Sequence, residues 1–103
     1  MTRVVAFVDD LMDRSKLSAV VPQCEFVRAP DECAGADVAV VDLARHADVV
    51  AALRAIAPAA RLVAFGPHVD DRLLAAARRD GADVVLPRSQ FFRNPAAAVT
   101  GEI

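Results

Sequence analysis

No apolar run in this sequence approaches the roughly 20 residues needed to cross a bilayer, and its start, Met1-Thr2-Arg3-Val4, lacks the basic-then-apolar layout of a signal peptide. A cytoplasmic protein with no membrane partner is expected. Cysteine is scarce: Cys24 and Cys33 stand alone, without CxxC or Cys/His spacing, which argues against a zinc site or a disulfide framework. Positive charge is not in excess, with 12 basic against 14 acidic residues and a formal net charge of -2, so no nucleic-acid-binding face is indicated. Also missing are a glycine-rich phosphate loop and any nucleophile–base pair readable from spacing, so an independent enzyme is not expected.

What is there is a chain of 103 residues, 55% hydrophobic and 25% charged, enough to bury one core but not two. Val4–Val8 is a continuous apolar run, the mark of a parallel strand covered on both faces. A helix is expected over Leu11–Val21, with Leu17, Val20 and Val21 on its apolar side and Pro22 ending it. Short strands follow at Cys24–Arg28 and Val38–Val41, and the stretch between them, "APDECAG", is too short for a crossover helix. Ala47–Ala57 places Val49, Val50, Leu53 and Ile56 on one helical face, and Leu62–Phe65 is the fourth strand. Asp70 is the expected N-cap of a helix over Asp71–Asp80, Gly81 takes the position just past its end, and Val84–Leu86 is the fifth strand. The tail holds a fifth helix interrupted by Pro95.

This alternation predicts an α/β fold, a flavodoxin-like three-layer sandwich around a five-stranded parallel sheet, with the second crossover helix shortened or missing. In such sheets chemistry collects at the carboxyl ends of the strands, where the strand order reverses. Asp9 and Asp10 end the first strand and Asp42 ends the third. In the order 2-1-3-4-5 those strands are neighbours, and their carboxylates raise one another's pKa unless a cation sits among them. Mg²⁺, which takes one or two carboxylates and keeps its waters, suits that arrangement.

The segments "VVAFVDD", "VAVVDL" and "AARRDGADVVLPRS" resemble three signature regions of response-regulator receiver (CheY-like) domains: the acidic pair, the phosphoacceptor aspartate, and the turn leading to a fixed cation. The resemblance covers roughly residues 3 to 92 and implies that residues 1–103 form a single receiver-like domain of two-component signalling. It implies Asp42 as phosphoacceptor, Mg²⁺ held by Asp9, Asp10 and Asp42 with help from the Ala44 carbonyl, and Arg88 in the place of the receiver lysine. The implied partners are a sensor kinase or another signalling protein in a phosphorelay, or a second copy meeting it through the face running from helix four to the tail.

The sequence also departs from that pattern. Gly66 stands where receivers carry Thr or Ser, and Val85 takes the place of the switch aromatic. Pro87 precedes the cation instead of following it, the stretch after Asp42 has neither the proline nor the glycine of the receiver turn, and Asp10 and Asp42 are only 32 positions apart. These departures describe an abbreviated, atypical member, a pseudo-receiver that acts by protein–protein interaction. The chain is similar as well to short receiver-like proteins combining "DDLM-x-RSK", "FGPHVD" and "PRS-x-FF". Those segments follow strands one, four and five, so Arg14 or Lys16, His68, Arg88 and Ser89 are expected around the carboxylates, neutralising them or binding a small anion or nucleotide.

Each of these residues has a plainer reading. Asp9 and Asp10 cap the first helix, Asp42 pairs with Arg88 without metal, and His68 is a loop residue, as is His46. Arg14 and Lys16 are solvated, Ser89 is the N-cap of the last helix, and Phe91 and Phe92 anchor the tail in the core.

Overall fold

The computed structural model describes residues 2–101. Five parallel strands, β1 (Val4–Phe7), β2 (Glu25–Phe26), β3 (Val38–Asp42), β4 (Arg61–Gly66) and β5 (Val84–Pro87), form one sheet in the order β2-β1-β3-β4-β5. The order reverses between β1 and β3, which pair Val4 with Val38 through Phe7 with Val41. As expected for strands covered on both faces, successive residues go to opposite layers. Val4, Ala6 and Val8 pack with Leu17, Phe65, Phe91 and Val99 on one side, and Val5 and Phe7 with Val41, Leu53, Leu74 and Val85 on the other.

The first layer is built by α1 (Leu11–Val20), α5 (Arg88–Arg93) and α6 (Pro95–Thr100); the second by α2 (Leu43–His46), α3 (Val50–Ile56) and α4 (Asp71–Arg79). Where the second crossover helix is missing, a single 3₁₀ turn, Pro30–Cys33, closes the connection and buries Cys33. The Glu32 carboxylate accepts from the backbone N–H groups of Arg28 and Ala29, at 2.8 Å each, and those bonds hold its pKa below the ordinary value. Burial pushes both thiols up to about 11, Cys24 and Cys33 alike, which keeps them protonated and unreactive at neutral pH.

Four local expectations need correction. The chain turns helical at Leu43, directly after β3, with Asp42 as N-cap; it bends at His46 and passes through a 3₁₀ turn, Ala47–Val49, before α3. Val20 and Ile56 lie on the outward sides of their helices and are exposed, while Leu17, Val21, Val50 and Leu53 are buried. Ser89 does not cap α5, which begins one residue earlier behind Pro87 with no side-chain cap. Pro95 starts α6 at its first turn, where its missing N–H costs nothing, and Asn94 caps that helix instead. The Asp70 cap is as expected, its carboxylate accepting from the Leu73 N–H at 3.0 Å.

On the edge away from the strands' carboxyl ends, Arg54 ties the layers together. It donates to the carbonyls of Pro58, Ala60 and Gly81 and pairs with Asp83 at 2.6 Å. Burial opposes ionisation of Asp83, but the Leu62 N–H and Arg54 together hold its carboxyl below the ordinary range. No helix among the described residues is long and apolar enough to cross a membrane.

Candidate functional site

The carboxyl ends of β1, β3, β4 and β5 surround a hollow of about 190 Å³ lined by Asp10, Asp13, Asp42, Ala44, Arg45, Phe65, Gly66, Pro67 and Arg88. Two of the acids arrive there by a local rule. Asp10 is the N-cap of α1, its Oδ1 accepting from the Asp13 N–H at 3.0 Å, and this bond holds its pKa down, with burial opposing and Arg88 and Arg45 adding more distant attraction. Asp42 caps α2 in the same way, accepting from the Ala44 N–H at 3.1 Å. Asp42 is only 5% exposed, and loss of solvent outweighs the Ala44 bond and the charge of Arg88, so its pKa is raised.

The third acid is Asp13, not Asp9. Asp13 lies one turn into α1, is 1% exposed, and forms an ion pair and hydrogen bond with Arg88. That bond is the largest influence on Arg88 and raises its pKa, so the guanidinium stays charged at any accessible pH. Below it the plane rests on aromatic rings, with the Arg88 guanidinium carbon 4.9 Å from the Phe92 centroid and 5.7 Å from that of Phe65. Phe65 stacks on Phe91 at 4.7 Å and meets Phe92 edge-on at 5.1 Å, and Lys16 lies over Phe92 at 5.5 Å. The tail phenylalanines therefore anchor the helix that carries Arg88 and build the shelf under its cation.

Gly66 forms part of the opposite wall. A Cβ there meets Leu43 Cβ and Leu74 Cδ2 at 3.3 Å each, so α2 and α4 leave only a tight space for a side chain at this position. The missing hydroxyl is visible in the sequence, but the closeness of Leu43 and Leu74 is not.

Asp9 points elsewhere. Its Oδ2 bonds His46 Nε2 at 2.9 Å, and the two line a second, separate hollow with Leu11, Arg14 and Arg28. The metal set Asp9, Asp10, Asp42 and Ala44 is thus divided, Asp9 being drawn to the α2 end by its histidine. Among the described residues, no three His, Cys, Asp or Glu side chains gather as a metal cluster. The anion set is divided too. Arg14 lines the second hollow and Arg88 the first, whereas His68 and Ser89 are exposed and line neither. The proposed Asp42–Arg88 ion pair is also replaced, because α1 presents Asp13 to Arg88 from inside the layer.

Asp13 was missed because its sequence context, "LMDRSK", reads as the charged outer face of a helix. A partner 75 positions away decides its burial.

Among solved structures the fold is that of CheY-like receiver domains. A response regulator from Burkholderia pseudomallei, solved with a phosphorylated aspartic acid, a calcium ion and citrate, superimposes with a TM-score of 0.80 at 17% identity; the match covers 96% of this chain but 66% of that one. The receiver domain of DrrB, activated with BeF3, gives 0.79 at 17% identity and covers 98% and 97%. A CheY-like protein, TadZ, from Pseudomonas aeruginosa gives 0.75 at 19% identity and covers 99% and 96%. No family model matches the sequence, and no curated protein does.

Proposed function

We propose that this chain is a receiver-like signalling module that works by contact with another protein, its acidic hollow held in one state by its own Arg88. The observation that carries the reading is the Arg88–Asp13 pair. A phosphoryl switch needs a cation free to neutralise the oxygens of the transferred group, and a hydroxyl to accept the changed geometry. Here the cation is already engaged by a buried carboxylate, and Leu43 and Leu74 crowd the place of the hydroxyl at Gly66. The partner is a sensor kinase or another signalling protein; the alternative is a second copy, meeting this one through α4, β5 and the tail helices.

The test is a titration of the ¹⁵N-labelled chain with Mg²⁺ and beryllofluoride. We expect the amides of Asp10, Asp42 and Arg88 to stay in place. Saturable shifts at those amides, abolished by Asp42→Asn, would reject this reading. Light scattering then separates the partners: a strict monomer removes the second copy.

The shared hollow favours a second reading, in which Asp42 is a phosphoacceptor. Of the metal set, Asp10, Asp42 and Ala44 line that hollow and could hold Mg²⁺, while Asp9 lies in the other. Bound there, such an ion supplies charge neutralisation for phosphoryl oxygens. Arg88 then serves the phosphoryl group only by leaving Asp13, so this reading requires an exchange of partners that the first does not. The beryllofluoride titration decides between them.

A further inference from the structure

The hollow that took Asp9 away from the acidic site has a composition of its own. It measures about 460 Å³ and is bounded by Asp9, Leu11, Arg14, Arg28 and His46. That volume lies within the range of small-molecule sites.

One of its two arginines, Arg14, is placed unlike an ordinary surface arginine, while Arg28 is exposed. Arg14 is half-buried, donates through Nε to the Val8 carbonyl at 2.6 Å, and lies over the Phe26 ring at 5.0 Å. One donor and one face of its guanidinium are thus fixed by the sheet end. Its two terminal nitrogens have no hydrogen-bond partner among the described residues. A guanidinium held this way has lost most of its freedom before any ligand arrives, so a bidentate contact costs it little further ordering.

Arg28, at the exit of β2, likewise has no side-chain hydrogen bond among the described residues. Glu32, four positions on, spends its carboxylate on the Arg28 and Ala29 backbone N–H groups and meets the Arg28 side chain only through longer-range attraction. Asp9, the one acid on the wall, is engaged by His46, whose ring is itself seated edge-on against Phe7 at 5.5 Å. Two guanidinium groups with unused donors therefore share the hollow with one carboxylate already hydrogen-bonded to a histidine. Beside them Leu11 stands 78% exposed, an apolar wall with nothing in the structure to cover it.

We infer that this hollow is a binding site for a small organic phosphate, with the phosphate held between Arg14 and Arg28 and the organic part against Leu11. Forked donors match the oxygens of a phosphate monoester, and the volume leaves room for more than a bare anion. The site is separate from the acidic hollow and does not depend on whether Asp42 is phosphorylated.

The test is a titration of the full chain with inorganic phosphate and with phenyl phosphate, followed through backbone amides and arginine Nε–H signals. We expect saturable shifts at Asp9, Leu11, Arg14, Arg28 and His46, with phenyl phosphate binding the tighter of the two. Arg14→Gln and Arg28→Gln should each weaken binding at least tenfold, and Arg79→Gln, at the exposed end of α4, should not change it. Arg28→Gln removes no hydrogen bond of the fold, so it keeps the test sharp if Arg14→Gln is poorly folded. Unsaturable shifts spread over the exposed arginines would overturn the proposal, as would shifts centred on Asp42 and Arg88. So would wild-type affinity in Arg28→Gln, or phenyl phosphate binding no tighter than phosphate.

Discussion

The guanidinium of Arg88, the first residue of α5, closes on the carboxylate of Asp13, buried in α1 and 75 positions earlier in the chain. The pair is unequal. Asp13 has almost no contact with solvent, whereas the Arg88 side chain is 45% exposed. Removing the arginine leaves a buried carboxylate without its cation, while removing the acid leaves a cation that can turn to water. We therefore expect Arg88→Ala to cost about 3 kcal/mol and Asp13→Asn about 1 kcal/mol, measured by urea denaturation. Equal losses in the two variants would show that the pair is solvated from both sides.

Asp42 carries a pH signature of opposite sign to most carboxylates. Its folded-state pKa lies above the ordinary 3.8 because burial penalises the charged form. The folded chain binds the proton more tightly than the unfolded chain, so the contribution of Asp42 to stability is full below the unfolded pKa. It is lost as pH rises through the folded value. Asp42→Asn keeps an oxygen for the Ala44 N–H and removes the charge. It should raise the urea midpoint more at pH 7 than at pH 3.5, because the removed charge is present only at the higher pH; a lowered midpoint at pH 7 would contradict the assigned cause.

Restoring a receiver-like hydroxyl at Gly66 should harm the fold and leave the switch unrecovered. The added Cβ of Gly66→Ser meets Leu43 and Leu74 at 3.3 Å, and Leu43 is held at the base of α2. Overpacking of this kind costs about 1–3 kcal/mol. Thermal denaturation checks the loss, and an unchanged beryllofluoride titration checks that the hydroxyl alone does not restore phosphoryl binding.

Arg54→Ala removes hydrogen bonds to three carbonyls and the ion pair with Asp83 at the opposite edge of the sheet. A loss of roughly 2–3 kcal/mol is expected, since hydrogen bonds to charged groups contribute about 1.5–3 kcal/mol and this side chain is partly solvated. The shifts induced by phenyl phosphate should be preserved, because neither hollow is lined by Arg54.

The layering was legible in the sequence because it rests on composition, whereas the strand order was assumed with the flavodoxin-like fold class and is the one observed. A run such as Val4–Val8 can be satisfied only by cover on both faces, and two aspartates ending neighbouring strands must lie at one rim. The site was legible in its strand-end residues, Asp10, Asp42 and Arg88, all of which line one hollow. Asp13 and Asp9 were not, because each is directed by a partner distant in the chain: Arg88 draws one inward and His46 draws the other aside. The early start of α2 was hidden for a related reason. Asp42 is both the end of a strand and the cap of a helix, so no turn separates them.

The shortened connection after β2 has a cost at the margin of the sheet. β2 contributes two residues, pairing Val5 with Glu25 and Ala6 with Phe26, and Arg3 laces it down through Glu25 and the carbonyls of Glu32 and Ala34. With so few bonds, this border is where fraying begins, and amides there exchange with solvent well before those of β3 and β4. Since Phe26 and Arg28 flank that border, a phosphate seated between Arg14 and Arg28 as proposed would also staple this short seam.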